Sequence, residues 1–216
     1  NEKLVFNYLR YHHIGNAYCP NCDFKSDEAK YRLTNIDYDK QEITVSIDGK
    51  TDTYPIVNRA LYNIYNELAC ISLMNEFNVD NEKVKAYLRK ISVTQTRYNE
   101  QVAGGTSIIR TMAKGQNSVS CSRTVDFVGN EPGVKGIMIM IDDSSDKKNS
   151  SEFSGWLYDV DFEFLNNPDT KQIIIAGPRC YDLKLRLLIA GVPSEKLSCE
   201  FEERDALKYI DTDVEK

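Results

Sequence analysis

Two apolar runs decide the fold: GIMIMID at residues 136–142 and KQIIIAG at residues 171–177. Uninterrupted runs of this kind fit strands buried on both faces, as in parallel sheets, and the second leaves its strand through a glycine. Working outward, DLKLRLLIAG (182–191) predicts a helix stopped at Gly191. KLSCEF (196–201) predicts a short strand and ERDALKYI (203–210) a last helix. On the N-terminal side, TSIIRTM (106–112) predicts a strand and residues 117–128 a helix. Residues 143–153 form a polar loop, and WLYDVDFEFL (156–165) places apolar residues at helical intervals. Strands and helices alternating through short loops predict a parallel, doubly wound sheet.

The first half reads differently. LVFNY (4–8) and NAYC (16–19) flank a turn, and YRLTNID (31–37) and QEITVSID (41–48) alternate apolar with polar. Asp48-Gly49 is a hairpin signal, and TDTYPIV (51–57) is the returning strand. Residues 57–77 then place Leu61, Ile64, Leu68, Ile71 and Leu73 at helical spacing. A second helix fits 81–91, with Asn81 as its N-cap. The boundary between the two regions falls near 92–104, where QVAGGT (101–106) reads as a linker or turn.

The chain has 216 residues, enough to bury a real core, and its 41% hydrophobic and 28% charged shares are those of a globular protein rather than a disordered one. With 27 basic and 33 acidic side chains the formal charge is −6. There is no cationic surplus to release counterions, which argues against a general nucleic-acid or anionic-membrane binder. No apolar run reaches the roughly 18–20 residues of a membrane span. The start, Asn1-Glu2-Lys3, has no initiator Met and no apolar leader, which hints at a piece of a longer protein. Six cysteines, of which only Cys19 and Cys22 are close together, point to a reducing, cytoplasmic setting rather than a disulfide scaffold.

Cys19-Pro20-Asn21-Cys22 has the spacing at which two thiolates can share one tetrahedral Zn²⁺. Structural thiols and a redox pair are the alternatives, although a redox motif wants a strand-to-helix context. One such pair supplies two of four ligands; His12 and His13 are the nearest further candidates, though an ordinary turn histidine is the blander reading. No phosphate-cradling loop and no nucleophile elbow occur, and two adjacent histidines make a Ser-His-Asp or Cys-His pair unpromising. The chain therefore lacks a self-contained hydrolase or ATPase site. Acids at Asp142, Asp143, Asp146, Glu152, Asp159 and Asp161 gather near the carboxyl end of a predicted strand, where ligands of doubly wound sheets bind, and a solvated acidic loop is the alternative. Arg97 and Lys114 bracket the first predicted strand of the second region.

In order along the chain, HHIGNAYCPNC (12–22), YRLTNID, ALYNIYNELA (60–69), GWLYDVDFE (155–163), GPRCYDLKLRLLIAG (177–191) and PSEKL (193–197) resemble the MurT family. These are Mur-ligase-like subunits of lipid II isoglutaminyl synthase. The resemblance implies an α/β protein: part of a Mur ligase central domain with a zinc-ribbon insertion, followed by a Rossmann-like C-terminal domain. Residues 1–54 would be half of the zinc ribbon and its strands, 55–98 the helical end of the central domain, and 99–216 the Rossmann-like domain. It implies an ATP-dependent carbon–nitrogen ligase subunit using ATP, Mg²⁺ and Zn²⁺, which amidates the D-glutamate α-carboxyl of lipid II or a related peptidoglycan precursor with ammonia from a GatD-like glutaminase.

The resemblance further implies that the other half of the zinc ribbon and the phosphate-binding loop lie upstream, and a last strand and helix beyond Lys216, so that this stretch alone is inactive. Asn63 and Asn66 match the helix-start asparagines near adenine, Arg97 matches an arginine approaching the nucleotide, and Lys114 matches a lysine of a Lys-Asn-Pro motif. Thr96 stands where that arginine's motif has Gly, Glu100 falls one place late, and Gly115-Gln116 replace Asn-Pro. Where the family has an aspartate that completes its partner's glutaminase triad, this chain has Phe153; Glu152 is adjacent, and Asp159 beyond Trp156 is retained. These departures suggest a divergent member, and the alternative to an active ligase is a degenerate scaffold that binds a partner protein.

Overall fold

The computed structural model describes residues 2–12, 14–92, 98–141 and 154–216. The chain divides into two units, one formed by residues 1–8 and 16–96, the other by 9–15 and 97–216.

In the first unit the alternating segments become an antiparallel sheet. β3 (Tyr31–Asp37), β4 (Glu42–Ile47) and β5 (Lys50–Pro55) follow strands β1 (Val5–Arg10) and β2 (Ile14–Tyr18), and lie in the order β3-β4-β5. Asp48 and Gly49 both take positive φ, at 48° and 81°, and turn β4 into β5 with Ile47 opposite Lys50. The helices α1 (Leu61–Glu76) and α2 (Asn81–Leu88) share one apolar core with the sheet. Ile43, Val45, Tyr54, Ile64, Ile71, Val84 and Leu88 are its buried members. Leu73, predicted for that face, is exposed, and the N-cap of α2 is Asp80, not Asn81: its carboxylate accepts from the Lys83 N–H at 3.1 Å.

In the second unit the two decisive runs are β8 (Lys135–Met140) and β9 (Thr170–Ala176), and β10 (Leu197–Glu200) follows. The three pair in parallel in the order β10-β9-β8. Ile173 and Ile175 of β9 face a core built with α3 (Ser118–Asn130) and α4 (Cys180–Ile189), including Val125, Leu183 and Leu187. Ile174 and Ala176 point the other way, toward Ala206. Both faces of the sheet are covered, which is why its strands read as continuous apolar runs.

Three predictions need correction. TSIIRTM is not a strand of the parallel sheet: as β7 (Thr106–Thr111) it pairs antiparallel with β6 (Tyr98–Ala103). QVAGGT, read as a linker or turn, ends the first strand of this hairpin and supplies its turn at Gly104 and Gly105, with φ of 59° and 88°, values that glycine adopts without steric cost. WLYDVDFEFL is not one helix but two short 3-10 turns, Gly155–Asp159 and Phe162–Leu165, and the last helix is likewise 3-10, Glu203–Tyr209.

Candidate functional site

The first turns of α1 carry two of the predicted binding residues. Ala60, at the N-cap, has an extended backbone and no side-chain cap, and no acidic residue occupies the first turn. Asn63 donates its backbone N–H to the Ala60 carbonyl at 2.8 Å, while its side-chain Nδ2 is buried with no hydrogen-bond partner. Asn66 is exposed three residues further, on the same side of the helix. A buried amide donor without an acceptor costs on the order of 1–3 kcal/mol, a cost that a ligand's acceptor atom would relieve.

Cys19 and Cys22 are brought together in a tight loop. Tyr18 pairs with Lys25, the Cys19 N–H donates to the Phe24 carbonyl at 2.9 Å, and the Ser26 N–H donates to that of Ala17 at 2.8 Å. The Asn21 N–H and then the Cys22 thiol hold the Cys19 thiol below its usual range. A thiol poised toward thiolate, with N–H groups on its sulfur, fits half of a tetrahedral metal set. Among the described residues no group of three or more His, Cys, Asp or Glu could hold a metal ion. His12 does not serve the pair: its Nε2 meets the Asp161 carboxylate at 2.7 Å.

In the second unit, Lys114 precedes α3. Its backbone N–H donates to Ser120 Oγ at 3.4 Å and its carbonyl accepts from the Cys121 thiol at 3.6 Å, so its backbone is fixed against the first turn of α3 while the residue stays exposed. Asn117 caps α3 through the Ser120 N–H at 2.9 Å. Asp159 ends its 3-10 turn exposed to solvent. Its neighbours are engaged: the Asp161 N–H donates to Ser122 Oγ at 3.0 Å, and Glu163 accepts from the buried Arg186 at 2.9 and 3.0 Å. Arg186 also donates to the Val160 carbonyl at 2.7 Å, so one guanidinium ties both short turns to α4.

Arg97, Glu152, His13 and the acids Asp142, Asp143 and Asp146 lie outside the described residues. Sequence reasoning missed the His12–Asp161 pair, because nothing in the spacing of residues 12 and 161 signals contact. It also missed Glu67, a 5% exposed carboxylic acid on the buried side of α1. That signal was available, since Glu67 stands three residues from Ile64 and four from Ile71.

Residues 115–216 match the family described as MurT ligase C-terminal. The chain is 24% identical over 189 residues to the lipid II isoglutaminyl synthase (glutamine-hydrolyzing) subunit MurT of Staphylococcus aureus (strain COL), covering 88% of this chain and 41% of that protein. It is 25% identical over 210 residues to the MurT subunit of Streptococcus pneumoniae (strain ATCC BAA-255 / R6), covering 96% and 45%. It thus spans less than half the length of these relatives. MurF from Acinetobacter baumannii superimposes with a TM-score of 0.57 at 15% identity, over 83% of this chain and 36% of that one. A pseudomurein peptide ligase type C from Methanothermus fervidus does so with a TM-score of 0.56 at 13% identity, over 94% and 45%. At those identities the likeness is one of fold.

Proposed function

We propose, from the match of residues 115–216 to the family described as MurT ligase C-terminal, that the chain is part of a ligase subunit that amidates the D-glutamate α-carboxyl of lipid II or a related peptidoglycan precursor. The reaction would consume ATP with Mg²⁺ and take ammonia from a GatD-like glutaminase, in the cytoplasm. Its support is the alignment with two MurT subunits of lipid II isoglutaminyl synthase over most of this chain. The observation that carries the nucleotide part is the unpartnered Asn63 amide in the first turn of α1.

In this reading ATP supplies the activation of the carboxyl group. Asn63 donates to an acceptor on the base, with Asn66 beside it, and Lys114 and Arg97 offset phosphate charge. Asp159, with Glu152, is the acid available to a partner's histidine. The boundaries 1–54, 55–98 and 99–216 are kept as those of half a zinc ribbon, a helical end of the central domain and a Rossmann-like domain. Cys19 and Cys22 would give Zn²⁺ two of its ligands, and two more must come from outside the described residues.

The test is amidation by the full-length subunit with its glutaminase, glutamine, Mg·ATP and lipid II, followed by mass spectrometry. Formation of product one mass unit lighter supports the reading, and its absence with a soluble, nucleotide-free complex sinks it. A second reading, a scaffold without catalysis, is favoured by Gly115-Gln116 and Phe153 in place of the family's residues. Isothermal titration with an ATP analogue separates the two, because a scaffold of that kind takes up no nucleotide.

A further inference from the structure

Glu67 is the one acid among the described residues of the first unit's core that has no cation beside it. It shares the buried side of α1 with Ile64 and Ile71. One carboxyl oxygen accepts from the Val57 N–H at 3.1 Å, and the other, Oε1, is buried with no hydrogen-bond partner. The charged groups of the elements packed on the same core are spent on one another. Lys85 of α2 pairs with Asp52 of β5 at 2.7 Å and with Glu82 at 2.8 Å, and Lys30 and Tyr31 bind Glu76 at the far end of α1. Burial, opposed only by the Val57 N–H, pushes the Glu67 carboxyl up to about 7.

Its hydrogen bond falls on the connection that carries the chain from β5 into α1. The Ile56 N–H is held by the Gln41 carbonyl at 2.8 Å and the Ala60 N–H by Asn58 Oδ1 at 2.9 Å. Between them, Val57 is held by Glu67 from the second turn of the helix. Because Ala60 gives no side-chain cap, this reach-back does part of what a cap does: it fixes the angle at which the chain meets the helix.

We propose that Glu67 is a positioning residue for nucleotide, holding the β5–α1 connection through Val57 so that Asn63 keeps its orientation, and doing so best with its carboxyl neutral. The idea rests on the reading that the first turns of α1 meet the base. A neutral carboxyl keeps its bond to Val57 at low cost. An ionised one puts an unpaired charge in an apolar core, which water or a shift of the connection must relieve.

The experiment is titration calorimetry of the full-length subunit with Mg·AMP-PNP at pH 6 and pH 8, comparing wild type with Glu67→Gln, Glu67→Leu and Asn63→Ala. The ratio of dissociation constants, wild type over Glu67→Gln, cancels the titration of the nucleotide itself. It is expected near one at pH 6 and about fivefold at pH 8, roughly 1 kcal/mol. Glu67→Leu, which cannot hold Val57, is expected to bind about tenfold more weakly than Glu67→Gln at both pH values. A ratio that does not change with pH, with Asn63→Ala still weakening binding, overturns this inference and leaves the nucleotide reading intact. Unchanged binding in Asn63→Ala overturns the nucleotide reading and the inference with it. Should Glu67→Leu fail to fold, the Gln ratio still decides.

Discussion

The two units treat buried charge in opposite ways. In the second, Arg186 is 4% exposed and gives Nη2 to the Val160 carbonyl and the Glu163 carboxylate, while Lys135, 3% exposed, gives its ammonium to the Gly129 carbonyl at the end of α3. Each buried cation ties two segments together. In the first unit the buried charge is an acid, Glu67, that meets one N–H and no cation. Of the three, Arg186 meets a carboxylate, whereas Lys135 and Glu67 each meet a neutral backbone group, and burial pushes the Lys135 ammonium down and the Glu67 carboxyl up. The difference is where the shift lands: burial brings the Glu67 carboxyl to about 7, so the first unit has a group that titrates near neutral pH.

The largest expected effect tests the second unit. Leu183 and Leu187 are fully buried between α4 and the parallel sheet, so Leu183→Ala should cost about 2–5 kcal/mol. Denaturant unfolding followed by circular dichroism measures it, and a loss below about 1 kcal/mol would mean the core collapses to fill the space. Glu67→Gln probes the other side of the contrast. The carboxyl titrates near 7 when folded against an ordinary value of 4.5, so between those values the folded state binds the extra proton. The stability linked to Glu67 is complete below pH 4.5 and is lost as pH rises through 7, to a maximum of ~3 kcal/mol. Glu67→Gln should therefore come nearest to wild type below pH 4.5 and exceed it at pH 8. Amide exchange of β4 and α1 reads this locally; equal protection at pH 8 would erase the contrast.

Gly177 sharpens the account of the second unit. It leaves β9 at φ 104°, and a Cβ there would run into the Ile141 carbonyl oxygen. Gly177→Ala should cost roughly 1–3 kcal/mol and displace the start of α4, since strain of both kinds has no flexible side chain to absorb it. A thermal midpoint unchanged within a degree would show that the β8 end moves aside freely.

What was legible followed from how strongly each segment's pattern belonged to one state. The runs at 136–142 and 171–177 could only be interior strands, and Asp48-Gly49 could hardly be anything but a hairpin turn. WLYDVDFEFL misled because its spacing is helical while its middle is not: Val160 is extended, with its carbonyl turned to Arg186 from α4, a partner 26 residues away. TSIIRTM has the composition of a parallel strand, and only the Gly104-Gly105 turn shows that it folds back on residues 98–103. Among candidate site residues, the cysteine pair was singled out by its spacing and Asn63 by the family resemblance. The place of Glu67 on the apolar side of α1 was readable from Ile64 and Ile71, but its raised pKa was not, because that depends on the depth of burial.

The smallest expected effect concerns the helix that closes the first unit. Asp80 caps α2 through the Lys83 N–H, and Lys85 bridges Asp52 and Glu82 nearby. Asp80→Ala should cost about 1 kcal/mol, as loss of an N-cap does, measured by denaturant unfolding at pH 6 and at pH 8. Asp80→Ala is the control for Glu67, because it removes an acid at a helix end in water and leaves the buried carboxyl, raised by burial, in place. If Asp80→Ala unfolded the first unit with the same pH profile as wild type minus Glu67→Gln, the titration would belong to the unit's net charge rather than to the buried carboxyl.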